Sequence, residues 1–254
     1  MSTFDLVLIA FAGLFAGLIN GVVGAGTLIT FPLLVALGVP PVVANGTNTT
    51  GLFPGAISSA LVYRHSFKEH RRLITVMAIA AAVMAGFGAA LVLALPPSVF
   101  ARVVPILILV AVALVLVQPL LSKMIKRWIG HHRDEDFPHR VPSVLTAGAV
   151  GVYGGYFGGG QGIVLMGLLP LVFAPDLQVS NGVKNVLAAT ANATAAAVFI
   201  IAGHVIWSVA IILAISSIAG GWVGSKVAKK LPTIAFRIVI AVVGITSAIA
   251  LFLR

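Results

Sequence analysis

Lys184 stands inside an apolar run from Val179 to Ala202, with Asn181 and Asn185 beside it and Asn192 further along. It is the one fully charged residue away from the flanks of the chain's long apolar segments, and no Asp or Glu within them could neutralise it. Asp5 and Asp176 lie at segment ends. An ammonium group at bilayer depth costs about 3 kcal/mol or more, so an intramembrane lysine reads as a working residue. A flexible cation among carboxamides suits the oxygens of a small anion that must also leave again. The competing reading is that Lys184, only a few residues inside its segment, snorkels to the interface and pairs with Asp176. Asn45, Asn48, Asn181, Asn185 and Asn192 have an alternative of their own, hydrogen bonding between helices.

The second candidate is "GVYGGYFGGGQG", Gly151 to Gly162, in a stretch otherwise apolar enough for a buried helix. Adjacent glycines at Gly158, Gly159 and Gly160, followed by Gln161 and Gly162, ruin helix propensity. A helix broken there ends in unpaired N–H groups and a positive dipole end, which favour an anion. Spacing by four, as in Gly13, Gly17 and Gly21, or Gly220 and Gly224, is the mark of close helix packing instead. A dinucleotide fingerprint fails for lack of a preceding strand and a following acid.

The elements that must position these residues follow from composition. With 60% hydrophobic and 9% charged residues and a mean hydropathy of +1.14, the chain is too apolar for a water-soluble domain. Runs long enough to span a bilayer of about 30 Å extend over Leu6 to Leu37, Val42 to Tyr63, Leu73 to Leu95, Val103 to Leu121, Val141 to Ala174, Val179 to Ala202, Val205 to Ser225 and Ile238 to Leu253. The first lacks the basic flank and short core of a cleavable signal. The absence of cysteine excludes disulfides, thiol chemistry and thiolate metal sites. The net charge of +10 sits between the spans, so it marks cytoplasmic loops and not nucleic-acid binding.

Those charges set topology. Arg64 to Arg72, Lys123 to Arg140, and the stretch with Lys226, Lys229, Lys230 and Arg237 belong inside; the turns after Leu95 and around His204 carry no Lys or Arg and belong outside. Arg140 inside and His204 outside are separated by two apolar segments, and two full crossings would return the chain to the side it left. One must therefore be re-entrant or broken, and the longer, glycine-split one is the candidate.

The two halves also repeat. Gly17, Gly21, Gly24, Gly26 and Ile29 align with Gly151, Gly155, Gly158, Gly160 and Ile163; after a short gap Asn45 aligns with Asn181 and Asn48 with Lys184. The expected fold is an all-α integral membrane protein of about eight hydrophobic segments in two inverted repeats, residues 1–122 and 141–254, joined by a charged cytoplasmic linker, 123–140. The first segment of each repeat is broken or re-entrant at its glycines, and both termini lie outside. Such transporters bind at the midplane, where the broken helices meet.

Other clusters are weaker. His131, His132 and His139 with Asp134 to Asp136 read as a solvated linker before a metal site, and no serine, histidine and acid combination points to intramembrane hydrolysis.

The paired motifs "GLINGVVGAGTLITFPLLVALGVPPVVANGTNTT", "AISSALVYR", "GVYGGYFGGGQGIVLMGLLPL", "NGVKNVLAATANATAAAVF" and "GHVIW" resemble the TauE/SafE family of sulfite exporters, from about Leu6 to Leu253. "AGT" at Ala25 to Thr27 departs from the run of glycines frequent in that family. The resemblance implies a plasma-membrane transporter of sulfite, sulfoacetate or related organosulfonates, working without a cofactor. Joined to the residue reading, it gives an anion held by backbone N–H groups near Gly24 to Gly26 and Gly158 to Gly162. Lys184 supplies charge, and Asn48, Asn185, Thr47 and Gln161, with Asn45 and Asn181 nearby, supply hydrogen bonds. The expected partners are the small anion, the bilayer and, as an open option, a second copy in a homodimer. An anion channel built on the same site, and more remotely a membrane-embedded enzyme, are the alternatives.

Overall fold

The computed structural model describes residues 1–65, 70–131, 138–174, 176–227 and 233–252. His132, Asp134 to Asp136, Lys229, Lys230 and Arg254 lie outside them.

Every described element is helical: α1 Thr3–Val22, α2 Thr27–Ala36, α3 Pro41–Val62, α4 Arg71–Ala94, α5 Pro97–His131, α6 Arg140–Tyr156, α7 Gln161–Val172, α8 Leu177–Ile201, α9 Trp207–Val227 and α10 Thr233–Phe252. Five of these are long and apolar enough to cross a membrane: α1, α4, the Pro97–Leu121 part of α5, α8 and α9. The charged stretch from Lys123 begins as a continuation of α5. Ser2 and Asp5 form a reciprocal capping box at the start of α1, and Asp176 caps α8 by accepting the N–H groups of Gln178 and Val179. Asp176 is thus occupied as a cap.

Two apolar segments are each split into a helix pair. The break between α1 and α2 carries Gly24 at φ +86°, and that between α6 and α7 carries Gly158 and Gly160 at +73° and +78°. Left-handed backbone is open to glycine without steric cost, so the glycines end α1 and α6 and let the chain change direction. In the second pair the chain doubles back. The N–H of His139 and the hydroxyl of Ser143, at the start of α6, both donate to the carbonyl of Val172 at the end of α7, each at 2.9 Å.

Backbones meet through small residues. Gly17 and Gly21 of α1 face Ser217 and Ser225 of α9, while Gly220 and Gly224 face Leu14 and Leu18 in return; a Cβ at any of these glycines would overlap the opposite helix. Gly151 and Gly155 of α6 lie in the same way on Ala81 and Ala85 of α4. For Gly220 and Gly224, packing is the whole explanation. The pairings correspond when the first five helices are exchanged for the last five. α1 packs on α9 as α6 does on α4, α3 on α9 as α8 does on α4, and α2 on α10 as α7 does on α5.

One end of the bundle joins Tyr63, Asn181 and Ser225 through hydrogen bonds and sets His70 edge-on to Phe173. At the other end Thr47 of α3 accepts the N–H of Ile206 at 3.0 Å. Large apolar side chains such as Phe4, Phe11, Val83, Phe87 and Ile215 point outward, as a lipid-facing surface requires.

Candidate functional site

The two breaks touch each other at the centre of the bundle. The N–H of Gly162 donates to the carbonyl of Gly24 at 3.2 Å. A Cβ on Gly24 would come within 2.6 Å of the Gly162 Cα, so only glycine on both sides permits the approach. Gly154 similarly makes room for the side chain of Gln161. Here α2 and α7 both begin, so the positive ends of two helix dipoles converge on one place.

Around that point Asn20, Gly24, Thr27, Ala56, Gly158, Gln161, Gly162, Lys184, Asn185, Ala188 and Asn192 enclose a cavity of about 20 Å³. That is room for about one water molecule. Lys184 is only 1% exposed, and its Nζ donates to the backbone carbonyl of Asn20 at 3.1 Å. An ammonium has three N–H donors, and among the described residues no acidic one lines the cavity. Lys184 is buried with its Nζ on the Asn20 carbonyl, and Asp176 caps the start of α8.

Asn185 presents a side-chain N–H that has no hydrogen-bond partner although the residue is 2% exposed. An orphaned buried donor costs about 1–3 kcal/mol, and an acceptor entering the cavity would satisfy it. Gln161 is fixed from α8, where its Nε2 donates to Asn192 Oδ1 at 3.2 Å. Converging helix N-termini, an ammonium and a free amide N–H bring positive charge and donors to one point, the chemistry that favours a small anion.

Of the residues singled out in the sequence, Gly24, Gly158, Gln161, Gly162, Lys184, Asn185 and Asn192 line this cavity. The others lie outside its lining. Gly26 gives its N–H to Asn20 Oδ1 at 2.7 Å, Gly159 accepts the hydroxyl of Tyr153, and Gly160 caps α7. Asn48 is spent on the α2–α3 contact, bonded to Thr30 and, at 3.3 Å, to Thr27. Thr47 holds Ile206, Asn45 donates to the carbonyl of Tyr156 at 3.0 Å, and Asn181 donates to the Tyr63 hydroxyl at 2.8 Å. Asn45 and Asn181 occupy matched repeat positions, and both keep an unpartnered side-chain oxygen.

The lining residues not singled out are Asn20, Thr27, Ala56 and Ala188. Asn20 carried a usable signal, a carboxamide deep in an apolar run just before the first glycine break. The matched-position pattern also held information, since Thr27 aligns with Gln161, and Ala56 with Asn192, across the repeat.

The family model for the sulfite exporter TauE/SafE matches residues 9–251. The chain belongs to the TauE/SafE family. A TauE/SafE chain of this kind is a multi-pass membrane transporter, not an enzyme. Relatives include a probable membrane transporter protein of Haemophilus influenzae, 28% identical over 87% of this chain and 85% of its own. The probable membrane transporter protein ORF9 of a Sinorhizobium species is 30% identical over 98% and 93%, and YfcA of Escherichia coli K12, also a probable membrane transporter protein, is 27% identical over 85% and 78%. No solved structure matches.

Proposed function

We propose that this TauE/SafE protein is a plasma-membrane carrier that exports small sulfur oxyanions, sulfite or short organosulfonates, by alternating access. The observation that carries the reading is Lys184, buried without a carboxylate in a cavity where α2 and α7 start. The sulfur specificity rests on the family's description and on the fit of a compact, multi-oxygen anion to donors arriving from several directions.

Inverted repeats explain the exchange of helix pairings between the halves, and a re-entrant hairpin explains why the start of α6 bonds to the end of α7. With about 1.5 Å per residue, the ten-residue α2 and twelve-residue α7 are about 15 and 18 Å long, enough to reach from a membrane face to the midplane.

The cavity has room for about one water, too little for a four-atom oxyanion, so binding requires the halves to part at the Gly24–Gly162 contact. In the contracted state Asn20 acts as a stand-in ligand: its carbonyl oxygen takes Lys184 and its side-chain oxygen takes the N–H of Gly26. The entering anion replaces those oxygens, and their return releases it.

The test is counterflow in proteoliposomes with a labelled sulfonate against unlabelled sulfite, thiosulfate, sulfoacetate and acetate. The carrier predicts trans-stimulation by the sulfur anions and none by acetate. Flux without trans-stimulation would indicate a channel, and stimulation by acetate alone would remove the sulfur assignment.

A further inference from the structure

Away from the central cavity, α3 and α9 form a groove of about 600 Å³ on the outer surface of the bundle. Close backbone packing creates it. A Cβ on Gly55 would lie 2.6 Å from the carbonyl oxygen of Ser217, and the hydroxyls of Ser58 and Ser59 donate to the carbonyls of Ile218 and Gly221 at 3.0 and 3.1 Å. With the helix axes so near, the larger side chains splay outward. Ile57 and Leu61 rise on one side, Ile218 and Trp222 on the other, each 42–57% exposed.

The groove is charged at one end only. Arg64, His65 and Lys226 gather there, with Lys226 Nζ 3.4 Å from the centroid of the Trp222 ring, and among the described residues none that lines the groove is acidic. Arg64 Nε donates to His65 Nε2 at 3.1 Å. The stem from Pro54 to Leu61 rises about 10 Å along α3 and is apolar apart from Ser58 and Ser59, whose hydroxyls are bonded to the opposite helix.

We propose that this groove binds an anionic phospholipid, its phosphate between Arg64 and Lys226 and one acyl chain along Ile57, Leu61 and Ile218. The occupant must join negative charge to hydrocarbon, because the groove offers both in line and opens onto the bilayer. Basic pockets between helices at the cytoplasmic face are suited to such headgroups, and a tryptophan at that depth belongs to the interfacial belt. The proposal does not depend on what the central cavity carries.

The full chain, purified in a neutral detergent, is titrated with phosphatidylglycerol, phosphatidylcholine or glycerol 3-phosphate, and bound lipid is read by native mass spectrometry alongside the melting midpoint. Phosphatidylglycerol is expected to bind and raise the midpoint, phosphatidylcholine and glycerol 3-phosphate are not, and the double variant Arg64→Gln/Lys226→Gln loses at least tenfold in lipid affinity. The charge-preserving Arg64→Lys/Lys226→Arg variant retains binding within about threefold, which separates loss of charge from loss of fold. Full retention in the glutamine variant would overturn the site. An equal loss on changing Arg72 and Arg140, which line a separate groove, would replace it with unspecific attraction, and an equal effect of glycerol 3-phosphate would remove the lipid.

Discussion

Asn20 accepts the ammonium of Lys184 on its backbone carbonyl at 3.1 Å while its side-chain oxygen takes the N–H of Gly26 at 2.7 Å. One residue thus satisfies the cation and the start of α2 together. If an anion replaces it, a permanent carboxylate there should imitate a bound substrate. Asn20→Asp is expected to abolish transport while raising the melting midpoint by about 2–4 °C, the shift that about 1 kcal/mol gives a chain of this size. A thermal melt paired with a transport assay checks both effects, and an active Asn20→Asp protein would refute the stand-in role.

Gly162 and Gly24 allow no side chain between them, so Gly162→Ala should cost about 1–3 kcal/mol through overlap and stop transport. Gly148 lies in α6 with its nearest neighbour at 3.5 Å, ordinary contact distance. Gly148→Ala is therefore expected to be neutral or to stabilise by up to about 1 kcal/mol. Melting of the two variants side by side measures the difference.

Asn48 and Asn185 should separate support from binding. Asn48→Ala removes bonds to Thr27 and Thr30 and is expected to lower stability by about 1–3 kcal/mol, with anion affinity changed less than about threefold. Asn185→Ala removes a donor that has no partner in the contracted state. It should raise stability by up to about 1–3 kcal/mol, the cost of the orphaned donor, and weaken anion binding by about 3- to 10-fold, the equivalent of one neutral hydrogen bond. Calorimetric titration and melting of both proteins provide the comparison.

The chain has no cysteine, which makes it ready for single-cysteine mapping. With inverted repeats, Ser2→Cys and His204→Cys should react with an impermeant maleimide from outside intact cells, and Arg140→Cys only after permeabilisation. Outside labelling at Arg140→Cys would contradict the orientation.

Much of the architecture was legible because lipid imposes simple rules. Apolar run lengths located the helices, and glycine clusters at Gly24 to Gly26 and Gly158 to Gly162 located the breaks, since helix propensity and left-handed backbone both point to glycine there. Lys184 and Asn185 stood out as polar residues without a reason to be in hydrocarbon. Which polar residue faces which neighbour was not legible. Asn48 aligns with Lys184 but turns to Thr27 and Thr30, because the threonines of α2 lie within reach of its amide. The two roles of Asn20, one by backbone and one by side chain, are not legible in the sequence because they arise only when α1 stops and the chain folds back.

The central claim is that Lys184 supplies the charge that holds the transported anion. Its most direct test is sulfonate counterflow in proteoliposomes by the wild type, Lys184→Met and Lys184→Arg, reconstituted at equal density. A charge-assisted hydrogen bond is worth about 1.5–3 kcal/mol, or roughly 10- to 100-fold in affinity. Lys184→Met should lose trans-stimulated uptake by at least that factor while Lys184→Arg keeps a measurable part. Undiminished counterflow by Lys184→Met would contradict the account.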